Sequence, residues 1–217
     1  MELTLTQYFL LFMIYSIAGW LLEVTCKLIE YKRFINRGFL IGPYCPIYGW
    51  GAVAITLLLY RYSYDPLILF FMTLLTCSVL EYATSWVMEK VFKARWWDYS
   101  KRKFNIDGRV CLGTMIPFGI FGMILTYVTN PLIISGFNKV DPSILNIIAI
   151  VLLIIYLIDN IFSTIVILGF RKTTVQVGRE GRQDNTEQIT KKVREILSSR
   201  SWMYKRLVNA YPKLVAI

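Results

Sequence analysis

Histidine is absent from this 217-residue sequence. Without an imidazole there is no Ser-His-Asp or Cys-His machinery, no His-ligated zinc site and no histidine pH switch. The G-x-x-x-x-G-K-S/T phosphate loop is missing too, so the chain carries no P-loop nucleotide site of its own. Charge is scarce: Asp, Glu, Lys and Arg make up 18% of residues, against about 25% in an average soluble domain. Acidic residues are the scarcer sign, 14 against 24 basic ones, for a net charge of +10. What is abundant is apolar, with 56% hydrophobic residues and a mean hydropathy of +0.51. A nucleic-acid binder would account for the charge but not for the hydropathy, so no nucleic-acid partner is expected. Apolar and basic together point to a membrane.

A membrane-spanning helix needs about 20 mostly apolar residues, and five stretches qualify. Leu3 to Leu22, Gly38 to Tyr60 and Val110 to Asn138 carry no charge. Pro66 to Met88 is interrupted only by Glu81, and Pro142 to Phe170 only by Asp159. The expected fold class is therefore an all-α integral membrane protein. Its transmembrane domain, residues 1–171, is read as a five-helix bundle with spans near 6–28, 42–60, 66–90, 110–129 and 143–170. Asn130-Pro131 and Ser135-Gly136 mark the outer end of the fourth stretch. The acidic start Met1-Glu2 lacks the basic region of a cleavable signal peptide, so the first span is expected to be retained.

The basic residues set the orientation. Lys27, Lys32, Arg33 and Arg37 follow the first span, seven more lie between Lys90 and Arg109, and eleven lie in the tail from Arg171 onward. The alternate loops hold only Arg61 and Lys139, so 22 of the 24 basic residues fall on one face. By the positive-inside rule that face is the cytoplasm, giving a multi-pass membrane protein with its N-terminus out and its C-terminus in. Cys26, Cys45 and Cys111 lie near the cytoplasmic ends of spans and Cys77 lies within the third, so no disulfide framework is expected. Four cysteines without histidine do not match zinc spacing, and no metal or cofactor is expected.

The chain also reads as a repeat. Leu22-Glu23-Val24-Thr25 resembles Leu80-Glu81-Tyr82-Ala83-Thr84, and a second glutamate follows in each, Glu30 and Glu89. Each unit passes a basic loop, Asn36-Arg37-Gly38 or Asn105-Ile106-Asp107-Gly108-Arg109, and re-enters through Pro46-Ile47-Tyr48-Gly49-Trp50-Gly51 or Pro117-Phe118-Gly119-Ile120-Phe121-Gly122. Two parallel helical hairpins related by an axis along the membrane normal would put Glu23 opposite Glu81, with the fifth span outside the repeat. The prolines and glycines at the inner face point to locally broken helix, which lipid tolerates only where it is buried in protein or lines water.

Glu23, Glu81 and Asp159 are costly at membrane depth and need partners inside the bundle. Lys27 is one helical turn from Glu23, whereas Glu81 has no such neighbour and has to be satisfied by another segment or be protonated. One reading is a polar cavity open to the cytoplasm, lined by Glu23, Glu81 and Asp159, with Arg37 and Arg109 at its mouth. The other is a set of ion pairs that fix helix register. Trp96-Trp97-Asp98-Tyr99 sits at the interface, either as an aromatic belt or, with Asn105, Asp107 and Arg109, as part of a site. Candidate substrate-binding residues are accordingly Glu23, Arg37, Glu81, Trp97, Asp98, Asn105, Asp107, Arg109 and Asp159; no catalytic residue is assigned.

Residues 172–217 are a basic cytoplasmic tail. Thr173 to Asn185 is polar and reads as a linker; from Thr186 an amphipathic helix is expected, its stripe continued by Trp202, Met203, Leu207, Val208 and Tyr211. Such a helix lies on anionic lipid or docks to a partner.

At Gly19-Trp20-Leu21-Leu22-Glu23, Asn36-Arg37-Gly38-Phe39-Leu40-Ile41-Gly42-Pro43, Leu80-Glu81-Tyr82, Trp97-Asp98-Tyr99 and Asn105-Ile106-Asp107-Gly108-Arg109, the chain resembles the bacterial family described as putative ABC-transporter type IV. The resemblance covers residues 5–170 and leaves out the tail. It implies a permease subunit, whose ATP hydrolysis would come from a separate ATPase subunit. A homodimer would double the span count. Membrane lipids are the other expected partner. Two further readings stand beside it. One is a membrane scaffold or regulatory protein acting through its tail. The other is an intramembrane enzyme on a lipid or isoprenoid substrate, with Asp98, Asp107 and Glu81 as acid/base or metal groups and Arg37 and Arg109 on a phosphate.

Overall fold

The computed structural model describes residues 3–38, 40–92, 94–180, 190–191, 193–196, 199, 202–210 and 215–216. Four helical stretches are long and apolar enough to cross a membrane: Leu5–Tyr31, Pro66–Phe92, Leu112–Phe137 and Pro142–Gly169. Among the described residues the strands are two residues long, so the chain is an all-α membrane protein.

Local chemistry starts each helix. Helix α1 (Leu5–Tyr31) opens on a capping box in which the Thr4 hydroxyl accepts from the Gln7 N–H and the Gln7 side chain accepts from the Thr4 N–H. Pro46 supplies the first turn of α2 (Pro46–Ala54), where its missing N–H costs nothing. Asp65 accepts from the Leu67 and Ile68 amides at the start of α3 (Pro66–Phe92).

The second apolar stretch forms a shorter helical run than the other four. After α2 come a π turn (Ile55–Leu59) and a 3-10 turn (Tyr60–Tyr62), and residues 40–45 ahead of it are non-helical. Helix α4 (Leu112–Ile124) likewise runs into a π turn (Leu125–Thr129), but continues as α5 (Asn130–Phe137). The helix thus runs through Asn130-Pro131 and ends at Phe137, next to Ser135-Gly136. The π turn shifts the hydrogen-bond register just before Pro131, which has no N–H to contribute.

Helix α6 (Pro142–Glu180) passes through Thr173–Glu180, which the sequence suggests is linker. Neither proline nor a turn sequence interrupts it after Phe170, and Gly178 alone costs about 1 kcal/mol relative to alanine. The rest of that linker, 181–185, and the expected opening of the amphipathic helix, 186–189, lie outside the described residues. Helix α7 (Trp202–Ala210) follows. Its apolar side faces the chain itself: Val208 and Ala210 are buried with Trp96, Val166, Ile167 and Val193, and Met203 and Tyr204 pack beside them. The Arg206 guanidinium donates to the Leu40 carbonyl, Arg37 donates to the Ala210 carbonyl, and strand Val215–Ala216 pairs antiparallel with Ala94–Arg95. The basic loops and the tail thus meet at one end of the bundle.

Helix α1 packs along α2 and α3 along α4, forming two hairpins that touch through α2 and α3. Ala52, Ile55 and Leu59 of the first hairpin bury against Leu69 and Leu125 of the second. Helix α6 stands outside, held to α1 by Leu145 and Ala149 against Leu10. Only 11% of its apolar window is buried, against 39% for α1, which marks α6 as the peripheral helix.

Both hairpins close over a glycine. A Cβ at Gly49 would collide with the Phe12 carbonyl and the Ser16 hydroxyl, and one at Gly122 with the stiff Thr73 side chain. A Cβ at Gly136 would meet nothing within 4 Å. Replacing Gly49 or Gly122 by alanine should cost about 1–3 kcal/mol each through overpacking, while Gly136→Ala should be neutral. Unfolding of the three variants in mixed micelles measures this.

Candidate functional site

Glu23 and Glu81 occupy corresponding places near the basic ends of α1 and α3, and both line one cavity between the hairpins. The cavity measures about 440 Å³, within the range of small-ligand pockets. Its walls are apolar, with Leu22 of α1, Ile55 of the first π turn, Leu80 of α3, and Phe121 and Ile124 of α4. Polar groups gather at two levels. Glu23, Arg37, Tyr48, Glu81, Trp97 and Tyr99 line the basic end, and Tyr15 and Thr129 line the other. At that far level Tyr15 donates to Asn130 Oδ1 at 2.8 Å, and Asn130 donates to Thr56 at 2.8 Å.

The two glutamates are satisfied differently. Glu23 pairs with Arg37 (Nε to Oε2, 3.1 Å) and accepts from the Tyr48 hydroxyl at 2.8 Å. Lys27, the sequence-local candidate, pairs with Glu30 instead. Among the described residues Glu81, 7% exposed, accepts from hydroxyls alone: Tyr99 at 3.3 Å and Thr114 at 3.2 Å, whose proton is shared with the Cys111 carbonyl at 2.9 Å. Among the described residues no basic side chain lies within 4.0 Å of it. Arg109, expected near Glu81, turns to Glu89 (2.9 Å) and Ser85 (3.3 Å), with Tyr82 beneath its guanidinium.

The loop between α3 and α4 presents Tyr99 to Glu81. Asp107 and Gly108, both at positive φ, turn the chain between Asn105–Ile106 and Val110–Cys111, and the Arg109 N–H donates back to Ile106. Asn105 accepts from the Gly108 amide and donates to the Arg102 carbonyl. Tyr99 N–H donates to the Gly108 carbonyl at 2.7 Å, and Trp97 Nε1 to the Arg109 carbonyl at 3.0 Å. Asp98 accepts from the Ser100 amide and hydroxyl and faces Arg95. Burial pushes its pKa up, but those hydrogen bonds and the guanidinium outweigh it and hold the carboxyl below its ordinary value. Burial, then the fields of Glu81 and Glu23, raise the Tyr99 phenol, which stays protonated and able to donate. Asp107 accepts from Tyr82 at 2.7 Å.

Asp159 is 9% exposed and lies outside the cavity lining. It accepts from the Ile41 and Gly42 amides at 2.9 and 2.7 Å, from Tyr44 at 2.5 Å and from Ser163 at 2.8 Å. This carboxylate fastens the non-helical segment before α2 to α6. Of the nine residues singled out from sequence, then, Glu23, Arg37, Glu81 and Trp97 line the cavity. Asp98, Asn105, Asp107 and Arg109 build the loop beside it, and Asp159 anchors its frame. Tyr99 was singled out with the Trp96-Trp97-Asp98-Tyr99 cluster, whereas nothing in the sequence marked Tyr15, Tyr48 and Thr114 as holders of polar groups.

A family model described as putative ABC-transporter type IV matches residues 10–164. No curated protein and no solved structure matches the chain.

Replacing Asp159 by alanine strands two backbone amides and a phenol in a buried place, and should destabilise the fold by about 1–3 kcal/mol. Tyr99→Phe removes one donor to Glu81 and should cost about 0.5–1.5 kcal/mol. Denaturation midpoints of the purified variants rank them.

Proposed function

Since the chain belongs to the putative ABC-transporter type IV family, we propose that it is a permease-type subunit whose substrate site is the cavity between the hairpins. In this reading α2 with its π and 3-10 turns completes a five-helix bundle. The basic end faces the bacterial cytoplasm, and the cavity opens there past Arg37 and Trp97. ATP hydrolysis is supplied by a separate subunit, because this chain has no phosphate loop.

One observation carries the proposal. A carboxylate from each hairpin lines the same cavity, and one of them, Glu81, has hydroxyl partners and no basic neighbour within 4.0 Å among the described residues. Membrane helices carry such groups where a substrate or ion path needs them. A lock that served packing alone would resemble Asp159, enclosed by four donors. The enzyme reading is supported less well. Asp98 and Asp107 are engaged by Ser100 and Tyr82 away from the cavity lining. The scaffold reading also loses support, since the apolar side of α7 is spent on the chain's own inner end.

Cys77 lines the cavity and Cys26 does not, so single-cysteine chains report access. A trimethylammonium-ethyl methanethiosulfonate reagent should modify Cys77 in inside-out vesicles and not in right-side-out ones. Glu81→Gln should slow that reaction several-fold by removing the charge that attracts the reagent. Labelling from the opposite side only, or none in native protein that labels after denaturation, would overturn the proposal.

A further inference from the structure

The cavity is closed on one flank and open on the other. Where the hairpins touch, Ala52, Ile55, Leu59, Leu69 and Leu125 seal α2 against α3. On the opposite flank α1 and α4 are not a packed pair among the described residues. The first hairpin is tied to the end of the π turn by the Tyr15 hydroxyl, which meets Thr129 at 2.6 Å and Asn130 at 2.8 Å. From Tyr15 to Glu23 along α1 is about 12 Å at 1.5 Å per residue. Along that seam Leu22, Phe121 and Ile124 line the cavity, yet are 38%, 47% and 44% exposed. Exposed, cavity-lining side chains on both helices thus leave the seam between Tyr15 and Glu23 unsealed.

Its chemistry is graded. The seam is apolar; its basic end holds two carboxylates, Glu23 and Glu81, and one guanidinium, Arg37, already engaged by Glu23 and the Ala210 carbonyl. The rings of Tyr48, Trp97 and Tyr99 line the same end. A carboxylate without a basic neighbour among aromatic rings suits a cationic head, by charge and by cation–π attraction. The apolar seam suits a hydrocarbon chain reaching in from the bilayer. We propose that the cavity takes a single-chain cationic amphiphile through the α1–α4 seam, its head against Glu81 and its chain between Leu22, Phe121 and Ile124. This rests on the cavity being the substrate site and adds the class of substrate and its route.

The test uses the full chain in nanodiscs with Cys77 or Cys26 as sole cysteine, modified by N-ethylmaleimide. Dodecyltrimethylammonium should slow modification of Cys77 and leave Cys26 unchanged. Tetramethylammonium and dodecyl sulfate at the same concentration should do neither. Glu81→Gln should weaken protection about tenfold, the effect of losing one desolvated cation contact. Ile124→Trp, which fills the seam without touching the head pocket, should weaken it too, and keeps the test decisive where Glu81→Gln fails to fold. Equal protection by tetramethylammonium overturns the lateral route while leaving the cavity as the substrate site. Equal protection by dodecyl sulfate overturns the cationic head. Protection by none of the three overturns the amphiphile, and the sided labelling of Cys77 then decides on its own whether the cavity is the substrate site.

Discussion

Hydrocarbon offers no hydrogen bonds, so each carboxylate carried into these apolar helices has to find its donors within the protein. The basic end of the molecule is arranged around that requirement. Asp159 draws the Ile41 and Gly42 amides and Tyr44 to α6, which sets where the chain turns into Pro46 and α2. Glu23 holds Arg37, and Arg37 reaches on to Ala210, so the same carboxylate helps place the tail. Glu81 engages Tyr99 and Thr114 and thereby ties the long loop and the start of α4 to α3. Three acidic side chains thus tie both basic loops and the tail to the helices.

The two hairpins carry out similar geometry with different chemistry. Each has a glutamate near the end of its first helix, a glycine at its closest approach, and a π turn eight or nine residues beyond a proline, Pro46 or Pro117. The departures matter more for function. In the first hairpin the loop arginine meets the cavity glutamate; in the second Arg109 goes to Glu89, and the inserted loop presents the Tyr99 phenol to Glu81. One glutamate is neutralised by a neighbour of opposite charge and the other is not, which makes the cavity electrostatically one-sided.

Much of this was legible in the sequence because it is local. The apolar runs and the basic clusters between them are each read from adjacent residues. The meeting of Glu23 and Glu81 in one cavity followed from their matched positions in two similar segments. What escaped depends on partners far along the chain. Asp159 finds three of its four donors more than a hundred positions away, and Arg206 reaches the Leu40 carbonyl from the tail. Nor can spacing alone distinguish a tyrosine facing lipid from one, such as Tyr48, that holds a carboxylate. The helix through Asn130-Pro131 was missed because a proline reads as a stop unless a π turn precedes it.

The central claim is that Glu81 is a buried carboxylate, served by hydroxyls alone, at the inner end of an open seam between two hairpins. An electron cryo-microscopy map of the full chain in lipid nanodiscs tests it most directly. The account predicts α1 and α4 apart beyond Tyr15, elongated density in the seam ending beside Glu81, and Arg109 turned to Glu89. A map with α1 packed on α4, or with Arg109 paired to Glu81, would contradict it.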